Sequence, residues 1–169
     1  MLRFLLFTLA GLLSLPLLAQ EQPLAIPSGP TAEGWQPREV KKTDAYASMA
    51  FAQVDYKATA IYFRTTDAGT LQTKFFQQLK TRETAQQCLY YGINSKLLGW
   101  PVIRYVMQDK QGCYQASLFV IAPAGEGKCM TILIETPVPT LRVIHDWAAM
   151  EQLLLSSFDR FAEKLEQLN

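Results

Sequence analysis

The chain of 169 residues has little of the chemistry from which most catalytic and metal sites are built. It contains one histidine, His145, and three cysteines, none of them in a Cys-x-x-Cys pair. One imidazole is too few for a histidine-rich metal site, and a nucleophilic cysteine would have only His145 as its base. The adjacent Asp146 is better placed to cap a helix than to orient that imidazole. The sequence therefore predicts a protein that is not an enzyme and holds no cofactor or metal.

An excess of charge of one sign is also missing. Sixteen Lys and Arg residues face 15 Asp and Glu residues, a formal net charge of +1 at pH 7. A balanced chain has no electrostatic footprint for nucleic acid, so we expect no nucleic-acid partner. The hydrophobic share of 49% excludes a disordered chain, and nine glycines and nine prolines exclude a collagen-like one. A compact domain remains.

Residues 1–19 have the pattern of a secretory signal peptide. Arg3 precedes an uncharged apolar run over 4–13, Pro16 ends that run, and Ala19 is a small residue of the kind found before cleavage sites. A retained membrane anchor is the alternative, but the run is at the lower margin of spanning length. We expect cleavage near Ala19, an exported product that is periplasmic or secreted, and no stable membrane insertion after cleavage.

The remaining sequence divides by composition into an arm and one domain. Residues 20–43 are predicted to be an N-terminal arm rich in proline and glycine, and residues 44–169 a single α+β domain. Trp35 is the exception within the arm. It either packs the arm onto the domain or is presented to a partner.

The clearest strand pattern lies between residues 101 and 135. Three apolar runs are separated by segments of turn residues at 109–112 and 123–127, which predicts a three-stranded antiparallel meander. The loop lengths also predict a register that places all paired side chains on one face. The expected pairs are Met107–Tyr114, Tyr105–Ala116, Ile103–Leu118, Val120–Met130, Leu118–Ile132 and Ala116–Ile134.

Two helices are expected. Asp67 is the predicted N-cap of a middle helix that ends at Gly92, either continuous or broken at Thr81. Its apolar face is formed by Leu71, Phe75, Phe76, Leu79, Ala85, Cys88 and Leu89. Asp146 is the predicted cap of a long C-terminal helix. Its apolar stripe is Trp147, Met150, Leu154, Phe158, Phe161, Leu165 and Leu168.

The expected fold class is α+β. The meander and one or two N-terminal strands form an antiparallel sheet, the long C-terminal helix covers it, and the middle helical segment packs elsewhere. The order strand, strand, helix, three strands, helix resembles the α/β/α sandwiches of the PsbP type. That likeness is one of topology and carries no function.

The three cysteines are candidates for one disulfide, because exported proteins fold in oxidising surroundings. The predicted meander places Cys113 and Cys129 about 26 Å apart, too far for a bond. The candidate pairs are Cys88–Cys113 and Cys88–Cys129, and three buried reduced thiols are the alternative.

Aromatic residues form the candidate binding surface. Tyr90, Tyr91 and Trp100 cluster just before the meander, and Trp35 is added from the arm. Such residues anchor protein interfaces and ligand pockets, although they also seal core edges.

We expect a non-enzymatic exported protein that acts through protein–protein contact, either an accessory subunit of an envelope complex or an immunity-type inhibitor. The alternative is a carrier of a small apolar ligand or lipid, with a cavity between the sheet and the C-terminal helix. A thiol-active redox protein ranks third, since the odd cysteine alone suggests it.

Overall fold

Seven strands and two helices make up the described part of the protein. The computed structural model describes residues 34–53, 55–94, 99–142 and 147–168, so the predicted signal peptide, most of the arm, His145 and Asp146 lie outside it. The elements are β1 (Gln36–Lys42), β2 (Tyr46–Ala52), β3 (Lys57–Phe63), α1 (Ala68–Thr84), β4 (Cys88–Asn94), β5 (Val102–Gln108), β6 (Tyr114–Pro123), β7 (Cys129–Val138) and α2 (Trp147–Glu166). None of the described helices combines the length and apolarity that a bilayer crossing requires.

The strands form one antiparallel sheet in the order β1-β2-β3-β7-β6-β5-β4. Two meanders, β1–β3 and β4–β7, therefore lie side by side and join where β3 pairs with β7. The α+β class is confirmed, but the sheet has seven strands rather than four or five. Two segments account for the difference: β1 lies in the stretch that composition assigned to the arm, and β4 in the stretch assigned to the middle helix.

Each face of the sheet packs against one helix. The α2 face contains Val40, Met49, Phe51, Ala58, Ala60, Val102, Val106, Ala116, Leu118, Val120, Ala122, Met130, Ile132 and Ile134. The α1 face contains Ile61, Phe63, Cys88, Ile103, Tyr105, Met107, Phe119, Ile121, Cys129 and Leu133. Strands β6 and β7 are buried on both faces, which explains why their sequences are nearly continuous apolar runs.

The predicted register of the first hairpin is wrong by one residue. Tyr105 pairs with Ser117 instead of Ala116. The loop has five residues, 109–113, because the buried Asp109 carboxylate accepts hydrogen bonds from the backbone N–H groups of Gln111 and Cys113, both at 2.9 Å. A shift of one residue exchanges the two faces of a strand, so Ile103, Tyr105 and Met107 belong to the α1 face rather than to the face of Ala116.

The second hairpin has the predicted loop length at a shifted position. Its five-residue loop covers 124–128 and not 123–127, since Pro123 still pairs with Cys129 and the Ala124 N–H donates to the Lys128 carbonyl at 3.2 Å. This moves the pairing by two residues, so Val120 pairs with Ile132. A shift of two preserves the faces, and the predicted shared face of β6 and β7 is correct.

Helix α1 begins where the sequence predicts but ends earlier. The Asp67 side chain caps it by accepting hydrogen bonds from the Thr70 hydroxyl at 2.6 Å and from the Thr70 N–H at 2.8 Å, and these two hydrogen bonds lower the pKa of Asp67. At the other end, Gln87 N–H donates to the Arg82 carbonyl and Gln86 N–H to the Glu83 carbonyl. This is a Schellman motif, and Gln86 occupies its left-handed position with φ 56°. The chain then enters β4, so Gly92 is a strand residue and not a helix end.

Helix α2 buries the predicted stripe of apolar residues. Met150, Leu154, Phe158, Phe161 and Leu165 are all buried against the sheet. Phe161 contacts Phe51 of β2 with 4.6 Å between the ring centroids. The helix therefore holds the β1–β3 meander and β7 together from one side.

Candidate interaction surface

The two edges of the described sheet, β1 and β4, differ in chemistry. Strand β1 carries Arg38, Glu39, Lys41 and Lys42 together with Pro37, which are the residues that protect an edge from pairing with another chain. Strand β4 reads CLYYGIN and has no charged side chain. An apolar contact surface is therefore compatible with β4 and not with β1.

On the α1 side, β4 exposes an apolar patch that we call the β4 rim, formed by Phe76, Tyr90 and Ile93. Ile93 is 41% exposed, and Tyr90 and Phe76 are half-buried with their ring centroids 6.2 Å apart at a right angle. Tyr90 pairs with Tyr105 and Ile93 with Ile103, which places both on the α1 face. All three side chains thus belong to the α1 side of the sheet, and Ile93 reaches solvent there.

The backbone of β4 is obstructed where a further strand would pair. A β-bulge lies between Tyr90 and Gly92, and Gly92 has φ +107°, a conformation that favours glycine. The Tyr90 N–H donates to the Glu83 carboxylate of α1 at 2.9 Å. Burial, followed by this negative charge, raises the pKa of Tyr90. The Tyr90 N–H is therefore already engaged, and the bulge interrupts the regular spacing of the backbone groups on this edge.

On the α2 side, Tyr91 and Trp100 seal the core. The Tyr91 hydroxyl donates to the Leu141 carbonyl at 2.9 Å, and its ring lies 5.5 Å from that of Trp147. Trp100 stacks on Phe158 at 5.3 Å. Both aromatics are half-buried between β4–β5 and α2, so they are separated from Tyr90 by the thickness of the sheet.

Trp35 is a packing residue of the domain. It is fully buried, its indole N–H donates to the Ser157 hydroxyl at 2.8 Å, and its ring meets the edge of Phe161. Of the two interpretations of Trp35, attachment of the preceding chain agrees with this position and presentation to a partner does not. The four predicted surface residues therefore occupy three places, and only Tyr90 belongs to the rim.

Phe76 and Ile93 were not among the predicted surface residues. Phe76 was assigned to the buried face of the middle helix, although Leu71, Phe75 and Leu79 already fill the core-facing stripe. Ile93 can be recognised as a surface residue only when β4 is known to be an edge strand. Tyr90 and Ile93 are three residues apart, a spacing that does not follow strand alternation, and only the β-bulge at Gly92 brings them to one face.

The three cysteines are unpaired in the structure, in contrast to the expected disulfide. Cys113 lies just before β6, and Cys88 lies on β4, two strands away from β6. Two strand spacings amount to about 10 Å, which exceeds the Cα–Cα distance of about 7 Å that a disulfide allows. Cys129 begins β7 at the opposite end of the sheet. Burial raises the pKa of both Cys88 and Cys129 to about 12, whereas Cys113 is exposed. Both buried thiols are therefore protonated at neutral pH.

No three His, Cys, Asp or Glu side chains within the described ranges are grouped in a way that could hold a metal ion. Comparison of the sequence with protein-family models and with curated proteins finds no match to either. The functional argument therefore rests on the geometry of the molecule.

Proposed function

We propose that this is an exported, non-enzymatic protein that acts through protein–protein contact, and that the β4 rim is the surface it presents. The observation that carries the proposal is the exposure of Ile93, on the same face of the sheet as Tyr90 and Phe76, on an edge strand without charged side chains. Apolar and aromatic side chains of this kind form the energetic centre of protein interfaces.

The contact is made by side chains and not by strand addition. Glu83 occupies the Tyr90 N–H, and the bulge at Gly92 interrupts the regular spacing that a new strand needs. A standard interface buries about 800 Å² on each partner, more than three side chains supply. The rim is therefore the centre of the interface, and the surrounding polar residues of α1 form its periphery.

Photo-crosslinking tests this assignment with a matched control. A photoreactive phenylalanine analogue is placed at Ile93 or at Leu155, which is 37% exposed on α2, in cells that export the protein. We expect one discrete adduct from position 93 and none from position 155. The Tyr90→Asp change should abolish that adduct, and circular dichroism of the purified variant should show that it is still folded.

Equal adducts from both positions, or none from position 93, would refute the assignment of the rim. The alternative function, a carrier of an apolar ligand, can be tested on the same exported protein by a different measurement. A carrier should show additional non-covalent mass in native mass spectrometry, and changes in the rim should not remove that mass.

A further inference from the structure

The two edges of the described sheet are protected from pairing with another chain by different means. Strand β1 has a proline and several charged side chains of its own. Strand β4 has neither, and its exposed apolar side chains favour contact with other chains. Protection of β4 must therefore come from outside the strand.

The pairing of β4 with β5 determines which backbone groups of β4 point outwards. Just before β4, the Gln108 N–H donates to the Gln87 carbonyl at 2.9 Å, so these two residues form a hydrogen-bonded pair. Hydrogen-bonded and non-hydrogen-bonded pairs alternate along an antiparallel ladder. In the observed register Cys88 and Tyr90 therefore occupy non-hydrogen-bonded positions. Their N–H and carbonyl groups point away from β5, towards the open edge.

Glu83, near the end of α1, covers this open edge. Its carboxylate accepts the outward Tyr90 N–H at 2.9 Å, and the Glu83 side chain is itself exposed. The carboxylate therefore lies where a strand added to β4 would have to pair. The β-bulge comes only after Tyr90, so the segment from Cys88 to Tyr90 has regular strand spacing. Along that segment Glu83, and not the bulge, is the obstacle to pairing.

We infer that Glu83 keeps β4 closed to a second copy of this chain, and that two copies pair through their β4 edges once its carboxylate is removed. The outward groups are complementary to themselves, because Cys88 of one copy can exchange both backbone hydrogen bonds with Tyr90 of the other in an antiparallel pair. A two-fold axis perpendicular to the sheet relates the copies, so both α1 helices stay on the same face and the two β4 rims meet. This closure acts on the backbone of β4 and is independent of the side-chain contact proposed above.

Sedimentation equilibrium of the purified protein tests the closure. Glu83→Ala should self-associate at least about tenfold more tightly than the wild type, because the Tyr90 N–H can then donate to a second copy. Glu83→Gln keeps an oxygen acceptor on a side chain of the same length, so it should behave as the wild type does. Glu166→Ala removes an exposed carboxylate at the end of α2 and controls for the change in net charge.

A disulfide between copies tests the register of the pairing. In the expected dimer Leu89 lies opposite Leu89 of the second copy as a non-hydrogen-bonded pair, with Cα atoms about 4.5 Å apart, a distance that a disulfide can bridge. In a Cys113→Ser background, which removes the exposed native thiol, Leu89→Cys should form a linked dimer under air oxidation only when Glu83→Ala is also present. Association of Glu83→Ala no tighter than that of the wild type or of Glu166→Ala would overturn the inference. Equal association of Glu83→Gln and Glu83→Ala would do the same, and so would disulfide formation at position 89 that does not depend on the change at Glu83.

Discussion

The hydrogen bond between Trp35 and Ser157 joins two residues that are 122 positions apart in the chain, inside the core. Ser157→Ala removes the acceptor of the buried indole N–H. That loss costs about 1–3 kcal/mol of unfolding free energy. Trp35→Phe removes the donor and part of the ring volume, for which we expect about 2–3 kcal/mol. In that variant the Ser157 hydroxyl can still form a hydrogen bond within its own helix, because a helical serine can donate to the backbone carbonyl one turn earlier.

The two changes should therefore not be additive. Once the donor is gone, removal of the acceptor costs little, and the double variant should be about 1 kcal/mol more stable than the sum of the single losses. Urea unfolding followed by circular dichroism measures all four proteins without using tryptophan fluorescence. Ser156→Ala, at the exposed neighbouring position, is the control and should change stability by less than about 0.5 kcal/mol. If Ser157→Ala costs no more than this control and the losses add, the hydrogen bond does not stabilise the fold.

Three further predictions concern the end of α1 and the thiols. Gln86→Gly should raise the unfolding free energy by about 1 kcal/mol, because glycine adopts φ 56° without strain; a loss of stability in urea unfolding would contradict this. Alkylation of the native protein should modify Cys113 alone, and mass spectrometry should find Cys88 and Cys129 modified only after unfolding. Since burial raises the pKa of these two thiols to about 12, folding favours their protonated forms. Their contribution is complete below about pH 9 and is lost as the pH rises towards 12, at up to about 1.4 kcal/mol per pH unit for each thiol. Melting temperatures between pH 8 and 11 should fall more steeply in the wild type than in Cys88→Ser/Cys129→Ser, and equal slopes would refute this attribution.

Much of the fold could be predicted because it is local. Asp67 was recognisable as a cap, and the apolar runs of β5, β6 and β7 marked three neighbouring strands. The register depended on one residue, Cys113, which composition placed in a strand and the Asp109 carboxylate holds in the loop. Composition does not reveal such a side-chain hydrogen bond.

The end of α1 and the identity of β4 were missed for a related reason. A helix that ends in the left-handed conformation usually has glycine there, but this one has Gln86. The apolar spacing of Cys88 and Leu89 also continued the helical pattern, although tertiary pairing with β5 makes both of them strand residues. The β4 rim could not be predicted without that strand.

The cluster that Tyr105, Ser117 and Glu135 form across β5, β6 and β7 could not be predicted, for a geometric reason. The predicted register paired Tyr105 with Ala116, which put Ser117 on the opposite face of the sheet. The observed shift of one residue brings Tyr105 and Ser117 together and adds Glu135 beside them. A cluster formed by three strands depends on both hairpin registers at once, so one error conceals all of it.

The joining of two meanders along β3 and β7 also has a consequence for the rate of folding. Within each meander the strands are close in sequence, so each can form with little loss of chain entropy. The β3–β7 seam, in contrast, pairs residues from opposite halves of the domain and must wait until both meanders meet. We therefore expect substitutions in the seam to slow folding and substitutions at the outer edges to act mainly on unfolding, so that this central junction sets how quickly the chain becomes a folded domain.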